Sequence, residues 1–372
     1  MEMGRLTKYG LISAALGAAG IAVFAACGFD PPEKHSGDGG GGGINKCVAT
    51  AGTLAAPDCD NSDNVCTGMG CSIASTCGDP ATCLPLSTNA GKPQIDFRLR
   101  RLNIAAPATL AATFIQATVV TKGIDLNAKQ CGEKGDGAFN WLLSIDKATM
   151  KMKTGGAPKT ADPFGVGFCF YDHTTASGIL VQPVVQDIKF TGDTFSTVTP
   201  SPLLNVPIFL GESVIVLPLS EAKLENVTIS KDSNCIGSFN PPALDSDCAD
   251  DPSSCAKWKT AGALGGYITI EAADKVPVDV LHETLCVLLT QATKDPATGG
   301  CPRTDGKLTQ KGDYCSTTKK AGDCADSFWL AATFAASAVK INDGKSTDTC
   351  VPGTSASDAG PDAADASDAA TD

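Results

Sequence analysis

Ile95-Asp96-Phe97-Arg98-Leu99-Arg100-Arg101-Leu102-Asn103-Ile104 is the stretch that decides the fold class. Ile95, Phe97 and Leu99 alternate with Asp96, Arg98 and Arg100, which is the two-residue period of a β-strand. At Arg101 the alternation slips by one, and Leu102 and Ile104 continue it. One extra residue bulged out of a strand ladder explains such a slip.

Outward from this strand, the chain from residue 92 to 351 repeats the same style. Short runs rich in Val, Ile, Phe and Thr are bounded by Gly, Pro, Asn and Asp, which predicts strands near residues 113–121, 141–145, 165–171, 179–190, 206–210, 214–217, 223–229, 267–271 and 328–341. Ten or so such strands predict a mainly β domain, an antiparallel β-sandwich or jelly-roll. One segment has a different period: Val278, Leu281, Leu285, Leu288 and Leu289 recur at three- and four-residue spacing, so residues 278–291 predict one short helix stapled to the sheet through Cys286. The pentapeptide Leu110–Phe114 recurs at Leu330–Phe334, but nothing around it repeats, and no internal duplication is expected.

Before the β domain, residues 46–91 hold Cys47, Cys59, Cys66, Cys71, Cys77 and Cys83 among almost no large apolar side chains. Such a segment needs covalent staples to be ordered, and it reads as a small Cys-rich module. Three local disulfides are the simplest solution, with fifteen connectivities for six cysteines and pairing into the main domain left open. The β domain carries ten more: Cys131, Cys169, Cys235, Cys248, Cys255, Cys286, Cys301, Cys315, Cys324 and Cys350. No two of them are spaced C-x-x-C, and none of the spacings fits a zinc finger or a thioredoxin-type redox pair. Structural disulfides are the expectation for all sixteen.

The ends of the chain are of other kinds. Residues 352–372 are an Ala/Asp tail with no core-forming side chain from Thr354 onward, which predicts a solvated acidic segment. It supplies five of the aspartates behind a formal net charge of −12, and that balance excludes a nucleic-acid partner as an expectation. With 42% hydrophobic residues and a mean hydropathy of +0.02, the 372-residue chain as a whole has ample material for a core.

At the other end, Arg5 and Lys8 precede an apolar run from Leu11 to Ala26 broken only by Ser13. This is the charged and apolar layout of a secretory signal over residues 1–26. Phe24-Ala25-Ala26-Cys27-Gly28 then resembles the lipobox of bacterial lipoproteins, with Phe24 in place of the preferred Leu. The resemblance implies cleavage before Cys27, lipid on its thiol, and a membrane partner reached through that lipid. Two or three acyl chains make a stable anchor, at about 0.8 kcal/mol per buried methylene. With Cys27 set aside, the remaining cysteines are even in number. Gly28, which is not the Asp that resembles an inner-membrane retention signal, points to the outer membrane of the bacterial envelope. Residues 27–45, with Pro31-Pro32 and the glycine run 39–43, read as a flexible tether of about 20 to 25 Å reach.

The search for chemistry yields few motifs. His282-Glu283-Thr284-Leu285-Cys286 begins like the zinc-protease helix but has Cys where the second His is required. His173 follows Asp172, yet no Gly-x-Ser-x-Gly elbow offers a nucleophile. His35 falls in the tether. Gly344-Lys345-Ser346 resembles the end of a phosphate loop, but Val339 replaces its first glycine. Asp58, Asp60, Asn61 and Asp63 offer oxygens at Ca²⁺-like spacing without the glycine and glutamate of an EF-hand. Of the tryptophans, Trp141 and Trp329 read as core and Trp258, between Lys257 and Lys259, as an exposed candidate for stacking on a sugar. No catalytic residue, metal or cofactor is assigned. The expectation is a non-enzymatic envelope lipoprotein with a binding or structural role, its ligand unidentified and a protein or glycan partner left open, with a carbohydrate-binding module and a secreted hydrolase as alternatives.

Overall fold

The computed structural model describes residues 49–59, 73–79, 82–112, 115–210, 213–244 and 256–342. Cys27, His35, the tether, the tail, Gly344-Lys345-Ser346, Asp60, Asn61, Asp63 and Cys47, Cys66, Cys71, Cys248, Cys255 and Cys350 lie outside the described residues.

Residues 95–104 lie within a thirteen-residue strand, β1 (Gln94–Ala106). Its ladder shifts register between Leu99 and Arg101, so the extra residue sits where the alternation slips. The other main strands are β2 (Asn140–Asp146), β3 (Lys151–Ala157), β4 (Val184–Thr191), β5 (Thr194–Thr197), β6 (Leu203–Leu210), β7 (Ser213–Glu225), β8 (Val227–Thr228), β9 (Gly262–Thr269) and β10 (Ser327–Ala338). They form one antiparallel sheet in the order β6-β7-β9-β10-β1-β2-β3-β4-β5-β8. The sheet is an open, curled half-barrel. These ten main strands thus follow a single path, with short hairpins beside it, where a sandwich would divide them between two stacked sheets.

The curl has identifiable causes. Asn226, at φ +52°, turns the chain from β7 into β8, so one continuous segment pairs with β9 near one end of the path and with β5 at the other. Side chains reach across the gap: Gln186 Nε2 donates to Ala222 O at 3.0 Å, and Thr197 Oγ1 donates to Leu224 O at 3.2 Å. At the β6 edge, a Cβ on Gly156 would lie 2.2 Å from Pro207 Cδ, so glycine is what lets β6 close over β3. Inside the curl lie Ile95, Phe97, Leu99, Trp141, Leu143, Phe195, Leu219 and Phe334, all buried in one cluster.

Several sequence expectations change form, and residues 165–171 hold a single bridge, Phe168 with Ile341, in place of the expected strand. Residues 115–121 are a helical turn of π type, not a strand. Gln116 explains it: its side chain accepts from Ile104 N at 3.0 Å and donates to Leu102 O at 2.7 Å, satisfying the β1 edge with a carboxamide in place of a neighbouring strand. The helix expected over 278–291 is only α1 (Leu285–Thr290), since His282 at φ +51° and Gln291 at φ +54° interrupt and end it. Cys286 pairs with Cys301, so it staples α1 to the following loop and not to the sheet.

The described parts of residues 46–91 pack onto the outer face of the sheet. Trp329 Nε1 donates to Thr53 O at 2.6 Å, and Cys59 O accepts from Thr333, Asn103 and Thr260 side chains. Cys77 pairs with Cys131 and Cys83 with Cys235, so both staple this segment into the β domain. Cys315 pairs with Cys324 across a tight hairpin.

Candidate functional site

Arg98 and Arg100 stand on the polar phase of the β1 alternation, yet their residues are 0% and 1% exposed. The reason is the cover just described: segments held by Cys77–Cys131 and Cys83–Cys235 lie over that face, with Leu84, Leu126, Phe168, Phe239 and Trp258 forming a second apolar cluster. A charge in such a place must be paired and hydrogen-bonded.

Each guanidinium is met accordingly. Arg98 donates from Nε to Asn140 Oδ1 at 2.6 Å and from Nη1 to Leu99 O at 3.1 Å, and from Nη2 to Ile124 O, with its plane 5.3 Å from the Phe168 ring centroid. Burial, reinforced by the neighbouring positive charge of Arg100 and opposed by Glu133 and Asp125, pushes Arg98 down to about 9. Arg100 donates from Nη1 to Leu84 O and Ser337 Oγ, both at 3.0 Å, and pairs through Nη2 with Glu133 Oε2 at 2.8 Å. It lies 5.3 Å from the Trp258 ring centroid. Lys257, the residue before that tryptophan, contacts Asp125, and both are buried. Asp125 precedes and Glu133 belongs to a short hairpin, Asn127–Ala128 against Glu133–Lys134, so one turn of chain carries Asp125 to Lys257 and Glu133 to Arg100.

This buried set of three cations and two carboxylates was not visible in the sequence beyond the alternation of β1. Its members come from positions 98, 100, 125, 133 and 257, with no local spacing to link them.

The residues singled out from sequence fall elsewhere. His173 is exposed and stands edge-on to Tyr171 at 5.2 Å. His282 is exposed too, and its engaged groups are those of its backbone: its O accepts from Lys294 Nζ at 3.1 Å and its N donates to Asp279 O at 3.1 Å. Among the described residues, neither imidazole hydrogen-bonds to a carboxylate or hydroxyl. Trp258 is a correction: it is 1% exposed, packed against Phe239 at 5.0 Å and against Arg100, and offers no face to a sugar. Its flanking lysines mislead, because Lys257 turns inward to Asp125. Trp141 and Trp329 are core, as their apolar strand runs predict.

Among the described residues, two groups gather sulfur and carboxylate within 4.8 Å: Asp274 with Cys286 and Cys301, and Asp326 with Cys315 and Cys324. In both, the sulfurs are bonded to each other, so they are not thiolate ligands. Asp274 is taken up structurally, accepting from Cys301 N at 2.7 Å and pairing with Arg303 at 2.8 Å. Among the described residues, a shallow groove of about 520 Å³ lies against β4 and β5, lined by Lys189, Thr194, Ser196, Val198 and Asn226.

Among the described residues no helix is long and apolar enough to cross a membrane. Compared with known proteins, the chain matches no family model, no curated protein and no solved structure.

Proposed function

We propose that this chain is an exported bacterial lipoprotein, anchored in the outer membrane through lipid on Cys27, whose disulfide-stapled β domain binds a partner or plays a structural part in the cell envelope. The observation that carries the reading is the state of the cysteines. All ten in the described residues, Cys59, Cys77, Cys83, Cys131, Cys169, Cys235, Cys286, Cys301, Cys315 and Cys324, are in disulfides. Such usage belongs to an oxidising compartment, which the chain reaches only by export. The charged and apolar layout of residues 1–26 supplies the route, and the lipobox-like Phe24–Gly28 supplies the anchor.

A non-catalytic role is supported by where the potential catalytic groups stand. His173 and His282 are exposed on separate short hairpins, and the charged residues that do converge are sealed under the cover of β1. Buried groups of that kind hold a fold together without touching substrate. The carbohydrate-binding alternative, built on Trp258, loses its platform with that residue in the core.

Mass spectrometry of the mature protein tests the proposal. The expected N-terminus is a Cys27 bearing diacylglycerol, and Cys27→Ala is expected to accumulate unprocessed, with residues 1–26 still attached. An unacylated Cys27, or normal processing of Cys27→Ala, would overturn the anchor.

A further inference from the structure

We propose that Lys257 and Asp125 become joined by an intramolecular isopeptide bond, formed by condensation within the folded domain. The Nζ of Lys257 is in direct contact with Oδ2 of Asp125 across 132 residues of chain. The two residues are 3% and 6% exposed, beside Leu126, Phe239 and Trp258 of the apolar cluster under the β1 cover.

Three features favour reaction over a plain ion pair. An ammonium and a carboxylate brought together out of water pay a large desolvation cost, which passing the proton from Nζ to Oδ2 relieves. That transfer generates the amine and the carboxylic acid, the forms that condense. Both backbones are also fixed. Asp125 N donates to Thr121 O at 2.8 Å, Asp125 O accepts from Gly137 N at 2.9 Å, and Lys257 O accepts from Asn240 N at 2.8 Å. A Cβ on Gly135 would fall 1.9 Å from Asp125 O, so the turn that sets Asp125 is closed tightly. Groups held in this way react with effective molarities of about 10⁵ to 10⁸ M. Finally, Arg98 donates to Ile124 O, one residue from Asp125, and its charge acts on that carboxylate. That positive charge favours the negative charge that develops on the carboxyl oxygen as Nζ adds to Cγ.

The step balances without a co-reactant. The neutral Nζ attacks Cγ of the protonated Asp125 carboxyl, a C–N bond forms, one Nζ proton passes to the departing hydroxyl, and the C–O bond breaks with release of one water. No electron is gained or lost.

Tryptic mapping of the full chain, reduced and alkylated so that disulfides do not contribute, decides the matter. The expected product is a branched peptide joining residues 123–129 to residues 232–259, uncut after Lys257 and lighter than the sum of its two linear parts by one water, with fragmentation placing the branch at Asp125 and Lys257. Cleavage after Lys257 with linear peptides making up the bulk of the signal would overturn the proposal. So would loss of water confined to a linear peptide containing Asp125. Lys257→Arg keeps the charge and cannot condense; its map is expected to lack the branched species while its circular dichroism matches the parent. The wild-type map is decisive even if that variant fails to fold.

Discussion

Arg100 shows how little a charged letter says about where its side chain goes. It pairs with Glu133 in a place where both side chains are all but inaccessible, 1% and 0% exposed. Arg100→Ala leaves the Glu133 carboxylate buried without its partner, and a loss of about 3 to 5 kcal/mol is expected in urea denaturation. The double replacement Arg100→Met with Glu133→Leu is expected to recover most of it, since neither charge then remains to be desolvated. Trp258 makes the complementary point. As core it is expected to cost about 3 to 5 kcal/mol on truncation to Ala, whereas an exposed sugar platform would cost stability almost nothing. At this scale the site was illegible, because what buries Arg98, Arg100 and Lys257 is loop cover from remote parts of the chain.

Among the elements, β1 was legible to the residue: the slip at Arg101 in the apolar alternation and the register shift in the ladder coincide. The strap at residues 49–59 was not, because nothing in its small and polar sequence names the surface it covers. That surface is prepared by glycine. A Cβ on Gly265 of β9 would lie 2.4 Å from Leu54 Cδ2 and 3.1 Å from the Trp329 ring. Gly265→Ala is therefore expected to push the strap off by an overpacking cost of about 1 to 3 kcal/mol, seen as faster hydrogen exchange in residues 49–59 while β9 and β10 stay protected. The turn over residues 230–235 carries a pH signal. Asp232 is held below the ordinary carboxylate value of 3.8 by the Ser230 hydroxyl, against the opposing effect of desolvation and with Asn234 adding to it. A depressed folded value means that the unfolded chain takes up the proton first as pH falls. The stabilisation is present above 3.8 and lost as pH drops through the folded value below it. The melting temperatures of wild type and Asp232→Asn are thus expected to differ at neutral pH and to converge below that point.

For the whole molecule, the longest described crosslink is Cys83–Cys235, which spans 152 residues and ties the cover to the sheet beside β10. Removing it as Cys83→Ser with Cys235→Ser is expected to lower stability by about 4 to 5 kcal/mol in guanidinium titration, the entropy of closing a loop of that size. Leu-Ala-Ala-Thr-Phe shows where local sequence stops being decisive. At residues 330–334 it is the centre of β10, buried between β1 and β9, while Leu110 and Ala111 in its first occurrence end a helical turn. The shared Leu-Ala takes both forms because a small alanine suits either backbone and the neighbours choose. By itself, then, the sequence determined the period-two strands, the bulge in β1, the mainly β class and a cysteine content suited to an oxidising compartment, since each rests on local alternation or on composition. Only the tertiary structure decided that the strands share one curled sheet, that the Cys-rich segment is stapled onto it, and that Arg98, Arg100, Asp125, Glu133 and Lys257 meet under cover. Those outcomes depend on contacts between residues far apart in the chain, which no local spacing encodes.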